Sequence, residues 1–442
     1  MTSISAQNDT HDRRPCYVDD GLLATGDALG GGLVPDRFEA SSRDDFPLVG
    51  VLNFLFNEAA ENGYSDIHFE SGPRGLVVRY RQFGVMTERM VLDGGVSDDL
   101  GRLLRARAQV RDKDDIAPRD GTFWFRADTR TVDVRLNFLS TRAGTSTVCR
   151  LLDQTNATRA FSSIPMTDLQ REVFRDSLYA NEGLILTVGP TGSGKTSTLY
   201  SCINERNTPD VKILTAEDPV EYTLPNAQQV NVVRPLRTFP IVVRAGLRQD
   251  IDIALIGEIR DAETAGAAVD IANTGHLVLS TLHANTASSS INRLLVGLGA
   301  DAFALAAALR LIVAQRLVRQ LCSHCRVIDE LSDGEIGLLQ SRNYVTPTGA
   351  GLRGLYASKR SAEGCDACDG RGTKGIRPIL EFLRADADVR GAIERGAGLK
   401  EIYSVVSAQQ SHRSLNHAAI DAAICDFNVD LAEALSCAAQ AD

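Results

Sequence analysis

One octapeptide limits what this chain can fold into more than any other feature. Gly189, Pro190, Thr191, Gly192, Ser193, Gly194, Lys195 and Thr196 form a complete G-x-x-x-x-G-K-[ST] run. A short apolar, strand-like segment at 184–188 leads into it, and a helical pattern from Lys195 through Leu199 and Tyr200 leads out, which is the context such a loop requires. The glycines let consecutive backbone N–H groups close around phosphate oxygens, and the helix N-terminus adds partial positive charge. Lys195 is then placed to reach β- and γ-phosphates and Thr196 to offer its hydroxyl to Mg²⁺, with Ser197 next in the same binding set.

Three further runs, 211–215, 253–256 and 277–282, are short, apolar and separated by helical patterns. Continuous apolar strands between helices predict a parallel sheet covered on both faces. Such sheets gather their ligands at strand C-termini, and acidic residues stand there. Glu217 opens the cluster Glu217-Asp218-Pro219-Val220-Glu221-Tyr222 after the second strand, and Glu258 closes the third. One carboxylate so placed can orient an attacking water while the other holds Mg²⁺, usually through water. Either acid alone reads equally well as a solvated loop cap. His276 and His283 flank 277–282, either as satisfied structural residues or as sensors of a γ-phosphate.

Outside this core, residues 46–153 read as a smaller α+β domain. An amphipathic helix pattern starts at Leu48 and ends at Asn62-Gly63. Strand-like segments occupy 67–69, 75–80, 122–125, 132–136 and 146–149, with a helix predicted over 98–109. Residues 1–45 lack any apolar period and are expected to form an irregular tail. The polar stretch 154–167 suits a linker, 168–320 the ATPase-type core, 321–385 a cysteine module and 386–442 a helical C-terminal region.

Charge and cysteine usage bound the function class. With 47 Lys+Arg against 57 Asp+Glu, the formal net charge of -10 disfavours a broadly basic nucleic-acid binder. The first twenty residues lack a signal peptide's apolar core. The greasiest stretch, 303–318, is broken by Arg310 and Arg316 and falls short of the roughly 20 apolar residues a spanning helix needs. A cytoplasmic protein is expected. Four of the nine cysteines form two C-x-x-C pairs, Cys322 with Cys325 and Cys365 with Cys368. In a chain without an export signal these read as metal ligands before disulfides, and their spacing suits one tetrahedral Zn²⁺ held by four thiolates. Cys16, Cys149, Cys202, Cys425 and Cys437 have no ligand-like spacing.

The phosphate loop, the acidic cluster at 217–222, Leu247-Arg248-Gln249-Asp250, Gly257-Glu258-Ile259-Arg260-Asp261 and the run from Thr274 to His283 follow one another in an order that resembles the secretion ATPases. These are the hexameric motors of type II secretion and type IV pilus assembly. The likeness extends upstream to Ser65-Asp66-Ile67-His68-Phe69-Glu70. Downstream it takes in the run 314–322 and both cysteine pairs, so that it covers about residues 48–385. It implies a RecA-type P-loop ATPase core with a smaller N-terminal α+β domain and a C-terminal four-cysteine zinc module. Glu217 would be the water-polarising catalytic glutamate. Glu258 would organise Mg²⁺ in an atypical second acid box where Gly257 replaces the usual Asp, and His276 and His283 would form the histidine box. Arg135 and Arg150 stand where family members send arginines from the N-terminal domain to the phosphates, and Arg244 and Arg248 match a pair preceding the second acid box. Fixed guanidinium groups stabilise charge on transferred phosphoryl oxygens.

The resemblance further implies ATP, Mg²⁺ and Zn²⁺ as ligands, a homohexamer, and cycles of domain closure about 154–167. The motor would act on an inner-membrane platform protein while lying peripherally at the inner face of that membrane. The cysteine module points to assembly and export motors rather than retraction motors. Two departures stand out. Relatives often carry a further N-terminal domain where only the 45-residue tail is expected here, and the family's Arg-x-Asp-Gly turn is Arg81-Gln82-Phe83-Gly84, without the acid. Competing readings are a nucleic-acid translocase or helicase on the same core and a non-hydrolysing, nucleotide-gated scaffold.

Overall fold

The computed structural model describes residues 48–110, 117–127, 130–153 and 159–439. The tail expected at 1–45, Cys16 and the first residues of the expected linker (154–158) lie outside them. The chain divides into two units, Met1–Gln154 and Thr155–Asp442.

In the first unit, helix α1 (Leu48–Glu61) is followed by strands β1 (Asp66–Gly72), β2 (Gly75–Gln82) and β3 (Val85–Leu92). Helix α2 (Ser97–Arg107) and strands β4 (Arg119–Arg126), β5 (Thr131–Thr141) and β6 (Gly144–Asp153) complete it. The strands form one antiparallel sheet in the order β3-β2-β1-β6-β5-β4. Leu52, Leu55, Phe56 and Ala59 fall on one face of α1 and are fully buried, the 3–4 spacing that an amphipathic helix uses against a core. Phe56 meets Phe123 of β4 edge-on at 5.6 Å between ring centroids.

Sequence patterning alone misses β3. It is an edge strand, largely exposed, with Glu88 and Arg89 interrupting its apolar alternation. Its place is set by the two-residue turn Phe83-Gly84, whose φ values of 51° and 82° join Gln82 to its partner Val85. Both central residues of such a hairpin need positive φ, which favours Asn-Gly. A phenylalanine held there costs about 1 kcal/mol. Phe83→Asn is therefore expected to raise the stability of this unit by about 1 kcal/mol, read as an upward shift of its urea midpoint. An unchanged or lower midpoint would mean that the turn carries no such strain.

The second unit begins with α3 (Asp168–Leu178), β7 (Gly183–Val188), α4 (Lys195–Arg206), β8 (Ile213–Glu217) and β9 (Ala227–Asn231). It continues through α5 (Phe239–Gly246), β10 (Ile253–Ile259), α6 (Ala262–Ala272), β11 (Leu277–Leu282), α7 (Ala287–Asn292) and α8 (Ala302–Ala308). After these come β12 (Leu309–Leu321), β13 (Val327–Glu330), α9 (Asp333–Ser341), β14 (Tyr356–Lys359) and β15 (Thr373–Arg384). Helices α10 (Ala387–Glu394), α11 (Leu399–Ser407), α12 (Leu415–Ile424) and α13 (Leu431–Ala439) close the chain. Seven strands make the main sheet in the order β15-β12-β7-β11-β10-β8-β9. All pairings are parallel except that of β15 with β12. The four expected core strands are β7, β8, β10 and β11, and every residue of β7, β8 and β11 is buried.

The apolar stretch at 303–318 resolves into α8 followed by the long strand β12. Because β15 returns beside β12, the sheet reclaims residues 373–384 from beyond the cysteine pairs. One continuous core runs from Leu184 to Cys437, so the C-terminal helices pack on the same body as the parallel strands. Glu381 of β15 is a fixed point in that packing. Its carboxylate is 2% exposed and accepts the Ala287 N–H at 2.8 Å and the Leu415 N–H at 3.0 Å, one at the start of α7 and one at the start of α12. Glu381→Ala strands two buried donors and removes a charge favoured at helix N-termini. A loss of about 3 kcal/mol in the unit's stability is expected; a change under 1 kcal/mol in chemical denaturation would show that water replaces the carboxylate.

Candidate nucleotide site and metal centre

The phosphate loop leaves the C-terminal end of β7 and enters α4, as its sequence requires. Gly194 sits at φ 81°, and a Cβ there would come within 2.7 Å of Gln315 Nε2. Gly189 is equally constrained, since a Cβ would lie 2.5 Å from the Gln315 carbonyl oxygen. The loop is thus pressed against β12. Gln315, 1% exposed, donates from Nε2 to the Ser193 carbonyl at 2.7 Å and accepts from the Thr198 hydroxyl at 2.8 Å. Inside the loop the Lys195 ammonium donates to the carbonyls of Gly189 (3.0 Å) and Pro190 (2.8 Å). Ser193 Oγ is buried without a hydrogen-bond partner among the described residues. An inward ammonium, an orphaned hydroxyl and a cradle that tolerates no Cβ fit a phosphate chain.

One acid stands beside this loop. Glu258, near the end of β10, is held by Arg260 Nη2 at 2.5 Å, with His283 Nε2 at 3.7 Å. Burial lowers the Lys195 pKa from its ordinary value, Glu258 opposes that shift and Arg316 adds to it. Burial, then the Lys195 charge, likewise lowers the His283 pKa, against the opposing Glu258. Lys195, Glu258 and His283 therefore share one local field. A Thr196 hydroxyl on the first turn of α4 and the Glu258 carboxylate are the hard oxygen donors that Mg²⁺ takes, with water and phosphate completing its shell.

Glu217 ends β8 and is 4% exposed. Its carboxylate accepts from the Tyr200 hydroxyl, from Thr215 Oγ1 at 2.6 Å and from Gln229 Nε2 at 3.3 Å. Burial, and then the Glu217 charge, push the Tyr200 phenol far above its ordinary pKa, so it serves as a fixed donor. Tyr200 lies on α4, which ties Glu217 to the helix that carries Lys195. Sequence alone assigns no site role to Tyr200, Thr215, Gln229, Gln315, Arg260 or Arg316. For Gln315 and Arg316 a signal existed: two polar residues inside the apolar stretch that became β12. Arg316 is 5% exposed and donates to the carbonyls of Gln315 and Asn285, linking the phosphate loop's brace to the segment after His283.

Other sequence candidates lie elsewhere. His276 precedes β11, whose six residues span about 20 Å, and its carbonyl accepts the Gly183 N–H at the entry of β7. It stands at the opposite end of β11 from His283. Arg244, near the C-terminal end of α5, pairs with Glu263 at 3.2 Å. Arg248 follows α5, whose Gly246 packs on Leu214 and Ile251, beside the starts of β8 and β10. Neither arginine has an ion pair with Glu217 or Glu258 among the described residues.

In the first unit, Arg135 of β5 is the direct cross-strand partner of Arg150 on β6, which in turn faces Asp66 of β1. Asp66, 4% exposed, accepts from Arg150 Nε at 3.0 Å. Like charges directly opposite are destabilising, so this row makes sense as an anchored cationic pair.

The four expected ligand cysteines come together. Their Sγ atoms all lie within 4.8 Å of one another, with Cys322–Cys365, Cys325–Cys368 and Cys365–Cys368 each at 3.8 Å. A tetrahedron of thiolates about 2.3 Å from a Zn²⁺ has edges of about 3.8 Å. Burial alone would raise the Cys368 thiol, yet the N–H groups of Cys365 and Gly372 point at its sulfur (3.3 and 3.1 Å) and help hold it down at about 7. Gly364, at φ 64°, meets the Gly370 backbone so closely that no Cβ fits, which closes the knuckle carrying the second pair.

Comparison with known proteins gives a consistent result. Residues 41–433 match the family described as "Type II/IV secretion system protein". The chain is similar to type II secretion system protein E of Aeromonas hydrophila, 36% identical over 397 residues, covering 89% of this chain and 76% of that protein. It is also similar to the type II secretion system ATPase E of Vibrio cholerae, 39% identical over 363 residues, 81% of this chain and 69% of the other. With the type IV pilus assembly ATPase PilB of Pseudomonas aeruginosa it shares 40% identity over 350 residues, 78% of this chain and 60% of that one. Among solved structures, the ATPase DotB of Legionella pneumophila aligns with a TM-score of 0.63 at 19% identity, covering 90% of this chain and 96% of DotB. The pilus retraction motor PilT with bound ADP aligns at 0.59 and 23% identity, covering 87% and 96%. At these identities the structural likeness speaks to fold alone.

Proposed function

We propose that this chain, which belongs to the type II/IV secretion system protein family, is the Mg²⁺-dependent motor that drives assembly of type IV pilus or type II secretion pseudopilus subunits. Membership makes it an ATP-hydrolysing assembly or secretion ATPase. The observation that carries the finer reading is the meeting of Lys195, Glu258 and His283 beside a phosphate loop, with Glu217 clamped at the next strand end.

In the proposed reaction Lys195 exchanges the carbonyls of Gly189 and Pro190 for phosphate oxygens, and the loop amides and Ser193 hydroxyl complete the cradle. Mg²⁺, held by Thr196 and Glu258, would neutralise charge on the phosphates. Glu217 orients the attacking water and accepts its proton. Tyr200 and Thr215 keep that carboxylate from rotating away. His283 reads the state of Glu258, and Arg135 and Arg150 are assigned to the set by family resemblance. Arg244, Arg248 and His276 belong to the proposed set through family resemblance. A homohexamer in contact with an inner-membrane platform protein is part of the same reading, as is a cytoplasmic position at the membrane's inner face. No helix among the described residues is long and apolar enough to cross a membrane. The proposed division of labour assigns 46–153 to the accessory domain, 168–320 to hydrolysis, 321–385 to zinc and 386–442 to the helical end.

The test is ATP turnover by the purified chain, alone and with the cytoplasmic part of a candidate platform protein, beside Lys195→Ala. Slow turnover that rises with the platform and vanishes in the variant is expected. Stimulation by single-stranded DNA instead would favour the translocase, and nucleotide binding without turnover the scaffold.

A further inference from the structure

We propose that this chain has a second ligand site, a cleft at the far end of the sheet from the phosphate loop, which takes a phosphate group borne on a small organic body. The cleft has a volume of about 440 Å³ and is bounded by α3, the start of β12 and the turn from β15 into α10. Arg310, Arg384 and Arg390 line it, with Asp176 and Asp386. Its location is fixed by Gly183, which has no room for a Cβ because the Arg310 stem lies against it. Gly183 is the first residue of β7, and the phosphate loop leaves from the last, about 20 Å away.

The arginines carry the argument. None of the three has a carboxylate partner among the described residues, although ion pairs hold many other arginines of the chain. Arg310 spends Nε on the Glu182 carbonyl at 3.1 Å, and Arg390 spends one Nη on the Leu309 carbonyl at 3.3 Å. Arg390 Nε is buried with no acceptor among the described residues, the kind of deficit that a bound group repairs. Among the described residues the Arg384 side chain makes no hydrogen bond; its main chain bonds Gln409 and the Asp386 N–H. Of the two acids, Asp386 is already satisfied by the Val389 N–H at 3.0 Å and Gln409 Nε2 at 2.7 Å. Asp176 remains on the rim and disfavours ligands with a second anionic end.

Three guanidinium groups from three elements offer more forks than the two oxygens of one carboxylate can use, whereas the free oxygens of a tetrahedral phosphate can receive them all. The volume lies within the range of small-ligand pockets and exceeds what a bare phosphate fills, hence the organic body. Such a phosphate comes either from a soluble ester or from a glycerophospholipid headgroup.

Both sources are tested on the full-length, zinc-loaded chain. Calorimetry with sn-glycerol 3-phosphate probes the first. Co-sedimentation with phosphatidylcholine vesicles, with and without phosphatidylglycerol, probes the second. Binding in either arm that weakens about tenfold in Arg384→Ala, is lost in Arg384→Glu, and persists in Lys195→Ala supports the site, and the arm that responds identifies the source. The Arg384 side chain makes no hydrogen bond or ion pair among the described residues and is exposed, so its variants should melt like the wild type. Arg390→Lys, which keeps the charge but loses the fork, gives an independent check and should also weaken binding. No binding in either arm at millimolar probe, binding indifferent to the Arg384 and Arg390 variants, or binding lost with Lys195 would each overturn the proposal.

Discussion

Glu217→Gln lowers ATP turnover at least a hundredfold and leaves nucleotide affinity within about threefold of the wild type. General-base and water-orienting groups contribute about 10²–10⁴-fold, and Glu217 is the buried carboxylate of its cluster, whereas Asp218 is exposed and lies 3.9 Å from Arg234. Glu258 is committed to Arg260 and faces Lys195 and His283, on the metal side of the proposed site. The substitution is nearly isosteric, and the cluster can absorb it: the amide oxygen still accepts from Thr215, and the Tyr200 hydroxyl can turn to accept from the new NH₂ group. A folded, nucleotide-binding and inactive protein is therefore expected. Lys195→Ala should lose both binding and turnover, which separates the two roles. Tyr200→Phe isolates positioning. The clamp loses one of its three donors while the carboxylate stays, so kcat falls about tenfold and KM is unchanged. Turnover by Glu217→Gln at the wild-type rate would remove Glu217 from the mechanism, and a Tyr200→Phe effect on KM alone would remove Tyr200 from the positioning role.

The site was legible in sequence where chemistry demands residue type and spacing together. The phosphate loop needs its glycines within a strand-turn-helix, and Gly189 and Gly194 are positions where a Cβ collides with Gln315. The paired cysteines needed only their spacing. What sequence could not show is how non-local partners meet. Gln315 is 122 positions from the Ser193 carbonyl it braces, and Gln229 reaches Glu217 only because β9 lies beside β8. The histidines illustrate the limit from the other side. Flanking one strand in sequence places His276 and His283 at opposite ends of it, so a shared box in the text is not a shared site within the chain. Strand β3 and the split of 303–318 into α8 and β12 escaped for a related reason. An edge strand need not alternate, and a continuous apolar run does not declare its period.

Removing zinc should have the second large effect. Structural Zn²⁺ contributes on the order of 10 kcal/mol of apparent folding energy at neutral pH, comparable to the total stability of an ordinary domain. The four sulfurs already stand at tetrahedral spacing. Between the pairs, Leu331, Leu339 and Ala357 pack into the main core and Ser358 Oγ donates to the carbonyls of Ala423 and Val429, so the two cysteine knuckles are the part that a metal would hold. Chelation is therefore expected to release hydrogen-exchange protection across the two knuckles, 322–326 and 361–372, first. Because metal binding displaces thiol protons, zinc retention should weaken as the pH falls. The loss should not stop at the module. Cys322 directly follows β12, the strand that carries Gln315 and Arg316, and the Leu321 N–H donates to the Asn428 carbonyl, between α12 and α13, at 2.8 Å. Fraying of this strand end loosens the brace under Ser193, so turnover should fall together with zinc occupancy and return when zinc is restored. Full protection and full turnover in protein with less than about 0.1 zinc per chain would instead mean that the thiols hold the knuckle through their own hydrogen bonds.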